Sequence, residues 1–289
     1  MHVPSDECLG DMCSNTSTVP CATIETDRET DINDRSSWTT RIWHEMIATA
    51  ENIEKLDTYL KAYDISCDED ALGKMLLHLD LVVEKNKVMN LTRIVDPDQA
   101  IVRHVVDSLL LMPSLSGIDV AGGVRLLDIG TGAGFPGIPL ALATGYKTVL
   151  IDSVGNKVNA VAEFIRELGI ERHAEALNIR AEDLARKQAG SFDLVTARAV
   201  DELRVLVEYA SPLLKKHGLL VVSKANITDD ELVLGKKTAS LVGVQYVSRE
   251  TYELPDDAGH REILTFKKIG KSRVKLPRQN GSAKHKPLV

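Results

Sequence analysis

The feature that most restricts the fold is a run of glycines between a short apolar segment and a helical pattern. The apolar run Val124–Ile129 leads directly into Gly130-Thr131-Gly132-Ala133-Gly134-Phe135-Pro136-Gly137. Glycines at such a junction let the backbone turn tightly and come close to a ligand, because they carry no Cβ. In an open parallel sheet, ligands bind in the crevice beyond the carboxyl ends of the strands. The sequence therefore predicts a parallel α/β sheet whose first strand ends in a binding loop.

After this loop, short apolar runs continue to alternate with helical patterns. The predicted strands are Val124–Ile129, Thr148–Ile151, Ala174–Leu177, Phe192–Val195 and Gly218–Ser223. The predicted helices start near Pro136 and cover Val158–Leu168, Glu182–Lys187 and Leu203–Leu214. This alternation is typical of right-handed crossovers in a sheet with helices on both faces. Two later runs, Val244–Ser248 and Glu262–Lys267, are joined by a loop too short for a crossover helix, so they should pair antiparallel. The expected fold class is α/β, a Rossmann-like, mostly parallel sheet with an antiparallel last strand.

The rest of the chain divides by composition. Residues 1–37 are polar and without a period, which predicts a disordered acidic extension. Residues 38–120 predict an N-terminal helical subdomain. Its helices begin at Trp38, after Asp68–Asp70 and near Pro97, and the third runs to Met112, where Pro113 ends it. Residues 121–268 form the sheet domain and residues 269–289 a basic tail. The four cysteines match no zinc or redox spacing, so reduced thiols and no metal site are expected.

Two ligands are compatible with the glycine loop. The spacing Gly132-x-Gly134-x-x-Gly137, with Asp152 about twenty residues further on, fits the fingerprint of nicotinamide dinucleotide enzymes. The spacing Gly130-x-Gly132-x-Gly134 after Asp128 fits the first motif of class I methyltransferases, which use S-adenosylmethionine. The antiparallel hairpin, and the lack of room for a second domain, favour the methyltransferase. Asp152 would then accept hydrogen bonds from the ribose hydroxyls, and Asp128 would face the cofactor's positive charges. A glycine turn that merely packs strand on helix is the remaining alternative.

Further short motifs occur in an order that is typical of one known family. They are Asn90-Leu91-Thr92, Arg103-His104-x-x-Asp107-Ser108, Leu127 through Pro139, Arg180-Ala181-Glu182-Asp183, Arg198-Ala199 and Pro277-Arg278-x-x-Gly281. Over about residues 70–289 the chain resembles the small-subunit ribosomal RNA methyltransferase G family, also called glucose-inhibited division protein B. The resemblance implies methyl transfer from S-adenosylmethionine to N7 of a guanine in 16S rRNA, on the small ribosomal subunit or its precursor.

The resemblance also implies a set of cofactor contacts. Carried over position by position, these fall on Gly130, Phe135, Ala181, Glu182 and Arg198. Together with the loop and the strand-end acids, the predicted cofactor site comprises Asp128, Gly130, Gly132, Gly134, Phe135, Asp152, Ala181, Glu182 and Arg198. Ala225 follows Lys224 where the family usually has glycine, which puts backbone contacts there in doubt. Alternatively, Glu182 and Asp183 are simple first-turn acids, and Arg198 forms a surface ion pair with Asp201 or Glu202.

Methylation of the implied acceptor atom requires little chemical assistance from the protein. Guanine N7 has a lone pair and no proton, so no general base is needed and no catalytic residue is expected; catalysis would be positional. The segment Thr196-Ala197-Arg198-Ala199 differs from the polar-Pro-Pro-aromatic loop that methylates exocyclic amines. The chain after Cys67 has no cysteine that could attack a pyrimidine. These features exclude alternatives more than they prove N7.

The third N-terminal helix is expected to border the acceptor site. Arg103 and Asp107 are four residues apart, as are His104 and Ser108, so each pair shares a helix face. The acceptor-site candidates are Arg103, His104, Asp107 and Lys224. The alternative is an intrahelical ion pair beside a packed histidine. His104 is not expected to act as a base, since N7 offers no proton.

The net charge of −7 conceals a basic tail, because residues 265–289 contain eight Lys/Arg and no acid. Such a segment can neutralise RNA phosphates. The predicted RNA contacts are Lys267, Lys268, Lys271, Arg273, Lys275, Arg278, Lys284 and Lys286, and the alternative is a solvated tail without a partner. The sequence shows neither an apolar run of membrane length nor a signal peptide, so a cytoplasmic monomer that acts on 16S rRNA is expected. Two other functions stay open: a nicotinamide-linked oxidoreductase, and a ribosome-assembly factor with a vestigial pocket.

Overall fold

The computed structural model describes residues 46–115 and 123–289, and the strands within them form one seven-stranded sheet in the order β3-β2-β1-β4-β5-β7-β6. The strands are β1 (Arg125–Ile129), β2 (Lys147–Asp152), β3 (Ala174–Asn178), β4 (Phe192–Arg198), β5 (Leu214–Lys224), β6 (Val244–Glu253) and β7 (His260–Lys268). Strands β1 to β5 run parallel, and β7 lies antiparallel between β5 and β6. The predicted fold class is confirmed.

Each central strand is apolar on both faces because helices cover both sides of the sheet. In β1, Leu126 belongs to one hydrophobic cluster and Leu127 to the other, and both are fully buried. The cluster around Leu126 also includes side chains of the N-terminal helices α1 (Ala50–Lys61) and α2 (Glu69–Asn86). It extends to side chains of α4 (Gly137–Thr144) and α5 (Gly155–Glu167). The cluster around Leu127 contains α6 (Ala181–Lys187), α7 (Leu203–Ala210) and α8 (Asp229–Leu241).

The third N-terminal helix, α3, contains an irregular turn. It consists of the α-helical Pro97–Ala100, the π-helical Ile101–Val106 and the α-helical Asp107–Leu109. Pro113 lies inside the following 3-10 turn, Met112–Leu115, so the helix ends earlier than the predicted Met112. A π-helical turn places its side chains differently from an α-helix and is frequent at functional sites. The predicted helix start at Trp38 and the predicted disorder of residues 1–37 lie outside the described residues.

The structure corrects two sequence predictions in the C-terminal half and adds one helix. The helix predicted to reach Leu214 ends at Ala210, because Leu214 already begins β5. Strand β6 extends to Glu253, past the predicted end at Ser248. Helix α8 was not predicted. Its buried side is formed largely by small or polar residues, among them Gly235, Thr238 and Ala239, so it lacks the large apolar stripe on which periodicity depends.

The tail does not extend away from the sheet. Lys267 pairs with Leu219 and Glu262 with Lys224, so β7 ends at the edge where the parallel strands begin. From there Arg273 donates its backbone N–H to Leu241 O at the end of α8. The chain then returns to the opposite edge, where the short helix α9 (Ser282–His285) lies. Among the described residues, no helix is long and apolar enough to cross a membrane.

Candidate active site

A cavity of about 520 Å³ opens at the carboxyl edge of the parallel strands. Its volume lies within the range of small-ligand sites, roughly 300–1,000 Å³. The wall includes the ends of β1 and β2, the start of α6, the segment after β4 and part of the tail. It comprises Leu91, Thr92, His104, Ile129, Gly130, Thr131, Gly132, Ala133, Phe135, Ile151, Asp152, Ser153, Lys157, Ile179, Arg180, Ala181, Glu182, Arg198, Ala199, Val200, Asp201, Tyr209 and Lys284.

The glycine loop forms the floor of this cavity, and its glycines serve different purposes. Gly132 has a φ of +60°, and the direction in which a side chain would project is open. Gly134 has a φ of +96°, and a Cβ there would lie 2.7 Å from Ile138 Cδ1 and 3.0 Å from His78 Nε2. Gly132 therefore leaves room for a ligand, whereas Gly134 lets the loop pack against α2 and α4. Gly134 itself does not line the cavity.

Asp152 lies at the end of β2 and lines the cavity as predicted. Its Oδ2 accepts a hydrogen bond from Gly132 N at 3.2 Å, and its Oδ1 accepts one from Val154 N at 2.9 Å. A carboxylate has about four acceptor positions. The loop thus orients Asp152 and leaves acceptor capacity for ligand hydroxyls.

Asp128 lies beneath the loop, outside the cavity wall. It is fully buried, and it accepts hydrogen bonds from Gly137 N at 3.1 Å and Thr196 Oγ1 at 3.1 Å. Burial raises the pKa of Asp128 to about 6. Both oxygens face protein donors, and the direct contact of Asp128 with a cofactor stays a prediction. Asp128 ties β1 and β4 to the first residue of α4.

Phe135 and His104 form the next part of the wall as a ring stack. Their ring centroids are 4.6 Å apart with an angle of 10° between the planes, and His78 contacts Phe135 at 4.5 Å. His104 Nε2 is 3.0 Å from Thr92 Oγ1, while its Nδ1 is buried without a hydrogen-bond partner. Burial lowers the pKa of both histidines to about 3. His104 is therefore neutral near pH 7 and a weak base.

Arg198 connects α3 to the sheet. Its Nη1 donates to Asp107 Oδ2 at 3.2 Å and to Arg103 O at 3.2 Å, and its guanidinium lies 5.5 Å from the centre of the Phe135 ring. Asp107 also contacts Arg261 Nε at 2.9 Å and accepts a bond from Ser223 Oγ. The alternative of a surface ion pair between Arg198 and Asp201 or Glu202 is therefore excluded, and Arg198 lines the cavity.

The other acceptor-site candidates differ in how they are engaged. The intrahelical Arg103–Asp107 pair considered from the sequence does not form, and the Arg103 side chain has no hydrogen-bond or ion-pair partner among the described residues. Lys224 donates to Asp201 O at 2.6 Å and pairs with Glu231 at 2.7 Å. Of the four candidates, His104 lines the cavity and Arg103, Asp107 and Lys224 do not. Arg103 is the one whose charge is left for an external partner.

Ala181 and Glu182, at the start of α6, line the side of the cavity beyond Asp152. The Glu182 side chain is buried, and its Oε1 accepts the backbone N–H of Gly281 at 2.8 Å. Lys284 also lines the cavity and lies 3.2 Å from Asp201 Oδ2. The sequence patterns do not predict the positions of Lys157, Asp201 and Tyr209 in the wall. The basic tail motif, which contains Lys284, predicts RNA binding and not a place in the cavity.

The tail residues do not form one basic surface. Lys268 is half-buried and donates to Ser211 Oγ and Val242 O. Arg278 pairs with the buried Glu208 through two hydrogen bonds. Lys268 and Arg278 thus have partners inside the protein, and RNA binding by these two residues stays a prediction. Lys267, Lys271, Arg273 and Lys275 follow the strand-start edge, whereas Lys284 and Lys286 lie at or next to the cavity.

The residues of the cavity fit a nucleoside-bearing, cationic methyl donor. Gly132 leaves a backbone cradle, Asp152 offers free acceptor positions and Phe135 presents an aromatic ring. A sheet whose antiparallel β7 is inserted between β5 and β6, above such a cradle, defines a class I S-adenosylmethionine-dependent methyltransferase.

Comparison with known proteins gives the family. The family described as rRNA small subunit methyltransferase G matches residues 71–258. A ribosomal RNA small subunit methyltransferase G from Desulfitobacterium hafniense (strain Y51) is 37% identical over 229 residues, which cover 78% of this chain and 93% of the relative. One from Geobacillus kaustophilus (strain HTA426) is 35% identical over 237 residues, covering 81% and 98%. The chain belongs to the rRNA small subunit methyltransferase G family, and the sequence-based resemblance is confirmed.

Proposed function

We propose that this protein transfers a methyl group from S-adenosylmethionine to N7 of a guanine in 16S rRNA of the small ribosomal subunit. Family membership supports the cofactor and an rRNA substrate. The choice of N7 as the acceptor atom rests on one observation. Every carboxylate in the cavity wall has a hydrogen-bond or ion-pair partner in the protein, and the imidazole in the wall is neutral. Asp152 is held by backbone amides, Glu182 by Gly281 N, and Asp201 by Lys284, while His104 is neutral with a pKa of about 3. Such a wall suits an acceptor that has no proton to remove.

The contribution of the protein is alignment. When bound, S-adenosylmethionine supplies an electrophilic methyl group on a positively charged sulfur. Gly130, Gly132, Asp152, Ala181 and Glu182 would hold its nucleoside and amino-acid parts, since they line one continuous side of the cavity. Phe135 and His104 form a flat wall against which a base or the cofactor could rest. Fixing two reactants in this way can be worth roughly 7–11 kcal/mol.

RNA would approach over the carboxyl edge of the sheet. We propose Arg103 and Lys286 as phosphate contacts there, because Arg103 has no partner among the described residues and Lys286 is exposed beside the cavity-lining Lys284. Lys267, Lys271, Arg273 and Lys275 lie at the other edge and would contact a separate part of the subunit. The same proposal places the protein in the cytoplasm and has it act as a monomer.

The deciding experiment incubates the protein with isotope-labelled S-adenosylmethionine and small subunits from cells that lack it. Nuclease digestion and mass spectrometry then locate the label. Label on N7 of a single guanine is expected. Label on uracil, cytosine or an exocyclic nitrogen would end the N7 proposal, and no label on rRNA would favour a ribosome-assembly factor. A thermal shift with NADH but none with S-adenosylhomocysteine would favour the oxidoreductase.

Asp152→Ala tests the cofactor site directly. Loss of the carboxylate removes the acceptor positions and frees the N–H of Gly132, so binding of S-adenosylhomocysteine should weaken at least tenfold, about 1.4 kcal/mol. Isothermal titration calorimetry measures this change. Asp230→Ala, on the exposed side of α8, is the matched control and should bind as the wild type does. Unchanged affinity in Asp152→Ala would remove this residue from the site.

A further inference from the structure

The segment 277–289, called the strap here, returns from the strand-start edge to the cavity. Before it, the backbone is attached to the end of α8 and to the turn between α8 and β6, where Gly270 N and Ile269 N both donate to Gly243 O. Within the strap, Gly281 is bonded to Glu182 at the start of α6. The strap therefore crosses the sheet from one edge to the other over the side covered by α6 and α7.

Side-chain contacts fix the strap in place. Arg278 forms a fork with Glu208 of α7, with Nε to Oε1 at 2.7 Å and Nη2 to Oε2 at 2.6 Å, and Glu208 is almost completely buried. Paired N–H···O bonds of this kind add geometric specificity. Ala283 is buried, and Asn280 bonds to both Asp183 and Arg186 of α6. This is a docked segment with internal partners, which distinguishes it from a free basic arm.

The docked strap contacts the cavity at two points. The N–H of Gly281 holds the carboxylate of Glu182, a wall residue next to Ala181. Lys284 is itself part of the wall, and its ammonium group forms an ion pair with Asp201, another wall residue. If the strap left, Glu182 and Asp201 would lose these partners and the cavity would lose one side.

We propose that the strap is part of the cofactor site, so that cofactor binding and docking of the strap stabilise each other. This inference rests on the proposed cofactor. Coupling of this kind is reciprocal: whatever the docked strap adds to cofactor affinity, the bound cofactor adds to docking. Arg278 and Lys284 then serve a different purpose from the phosphate contacts that their charge suggests. Arg278 is a positioning residue, and Lys284 is a cofactor-site residue.

Hydrogen–deuterium exchange on the intact protein tests the coupling. Saturating S-adenosylhomocysteine should slow amide exchange at least fivefold in peptides covering 278–286, where Gly281 N–H is bonded to Glu182. Peptides covering 269–275, at the other edge, should exchange at the same rate with and without the compound. Slower exchange confined to the glycine loop and α6, with the strap unchanged, would overturn the inference. No binding of the compound by the wild type would instead count against the proposed function.

Matched substitutions provide a second test. Arg278→Met removes the fork to Glu208, and Lys275→Met changes an exposed basic residue just before the strap. Arg278→Met should weaken S-adenosylhomocysteine binding about tenfold while altering binding to small subunits less than twofold. Lys275→Met should leave cofactor affinity unchanged. An Arg278→Met protein that binds the cofactor as the wild type does, but binds subunits poorly, would show that the strap is an RNA arm.

Because Arg278→Met also leaves Glu208 buried without its partner, an exposed position is tested in parallel. Lys284→Ala shortens a cavity-wall side chain that is more than half exposed, so the fold should tolerate it. Lys216→Ala, at an exposed lysine near the start of β5 that is not in the wall, is the control. Lys284→Ala should weaken cofactor binding about threefold to fivefold and Lys216→Ala should not. Equal cofactor affinities in the two variants would contradict the inference.

Discussion

The glycine loop and helix α3 face the same cavity but are built in different ways. The loop is held by backbone geometry: three glycines with positive φ, and the buried Asp128 that bonds to Gly137 N and Thr196. Helix α3 is held by side-chain charge, since Asp107 contacts both Arg198 and Arg261. The conformation of the loop comes mainly from its own glycines, whereas α3 depends on charged partners from β4 and β7. The two walls should therefore fail for different reasons.

The largest effect is expected in the loop, from Gly134→Ala. An L-residue at φ +96° is strained by roughly 1–2 kcal/mol, and overpacking against Ile138 and His78 adds roughly 1–3 kcal/mol. The free energy of unfolding should fall by about 4 kcal/mol, measured by urea denaturation. Gly132→Ala is the control: its Cβ meets open space, so stability should fall by only about 1 kcal/mol. Equal losses in the two variants would show that packing at Gly134 is unimportant.

The next effect belongs to the other wall. Asp107→Asn leaves Arg198 and Arg261, each largely buried, without a counter-charge. Breaking a buried pair in this way costs about 3 kcal/mol, and urea denaturation should show it. Asp98→Asn breaks the exposed pair with Lys55 and should cost less than about 1 kcal/mol. If Asp107→Asn were as mild as Asp98→Asn, α3 would be held by its apolar contacts and the contrast between the walls would disappear.

The difference in construction explains what could be predicted from sequence. The loop, the parallel strands and the position of Asp152 follow from local patterns, because glycine spacing and apolar periodicity lie within a few residues of one another. The cluster around Asp107 joins residues far apart in the chain, and a single sequence does not show which arginine meets it. Arg103, its neighbour one turn away, was the obvious partner from spacing and is not the actual one.

The same reasoning applies to α8 and the strap. Helix α8 turns small residues such as Gly235 toward Leu203 of α7, and small residues produce little periodic signal. The eight basic residues near the end of the chain suggested a single electrostatic surface. The buried Glu208 of α7 instead pairs with Arg278, and the burial of Glu208 is a property of the folded chain.

As the pH falls, His104 and Asp128 should change the free energy of unfolding in opposite directions. Burial lowers the pKa of His104 to about 3 from an ordinary 6.5, because the buried ring is held in its neutral form. The fold is therefore fully stable with respect to His104 above pH 6.5, and it loses stability as the pH falls below that value. At pH 5 the loss is roughly 2 kcal/mol. Burial raises the pKa of Asp128 to about 6 from 3.8, so its ionisation destabilises the fold above pH 6 and protonation restores stability as pH falls toward 4.

The variants His104→Gln and Asp128→Asn, each compared with the wild type, show how much each side chain contributes to the pH dependence of stability. Between pH 7.5 and pH 5, His104→Gln should lose about 2 kcal/mol less stability than the wild type, and Asp128→Asn should lose more than the wild type. Urea denaturation at several pH values provides both curves. Curves that shift in the same direction for both variants would mean that the two side chains do not differ in environment as the structure describes.

The smallest effect concerns what each wall presents to RNA. The glycine loop offers backbone and no free cation, whereas α3 offers Arg103, whose side chain is unpaired among the described residues. Arg103→Gln should therefore weaken binding to small subunits by a few fold and reduce the slope of log affinity against log salt by about 1, as expected for one lost phosphate contact.

Arg172→Gln, exposed at the strand-start edge before β3, is the matched control and should leave the slope unchanged. Filter binding over a range of salt concentrations measures both variants. A lower slope for Arg172→Gln together with an unchanged slope for Arg103→Gln would place the RNA at the strand-start edge near β3 and would contradict the proposed approach over the cavity.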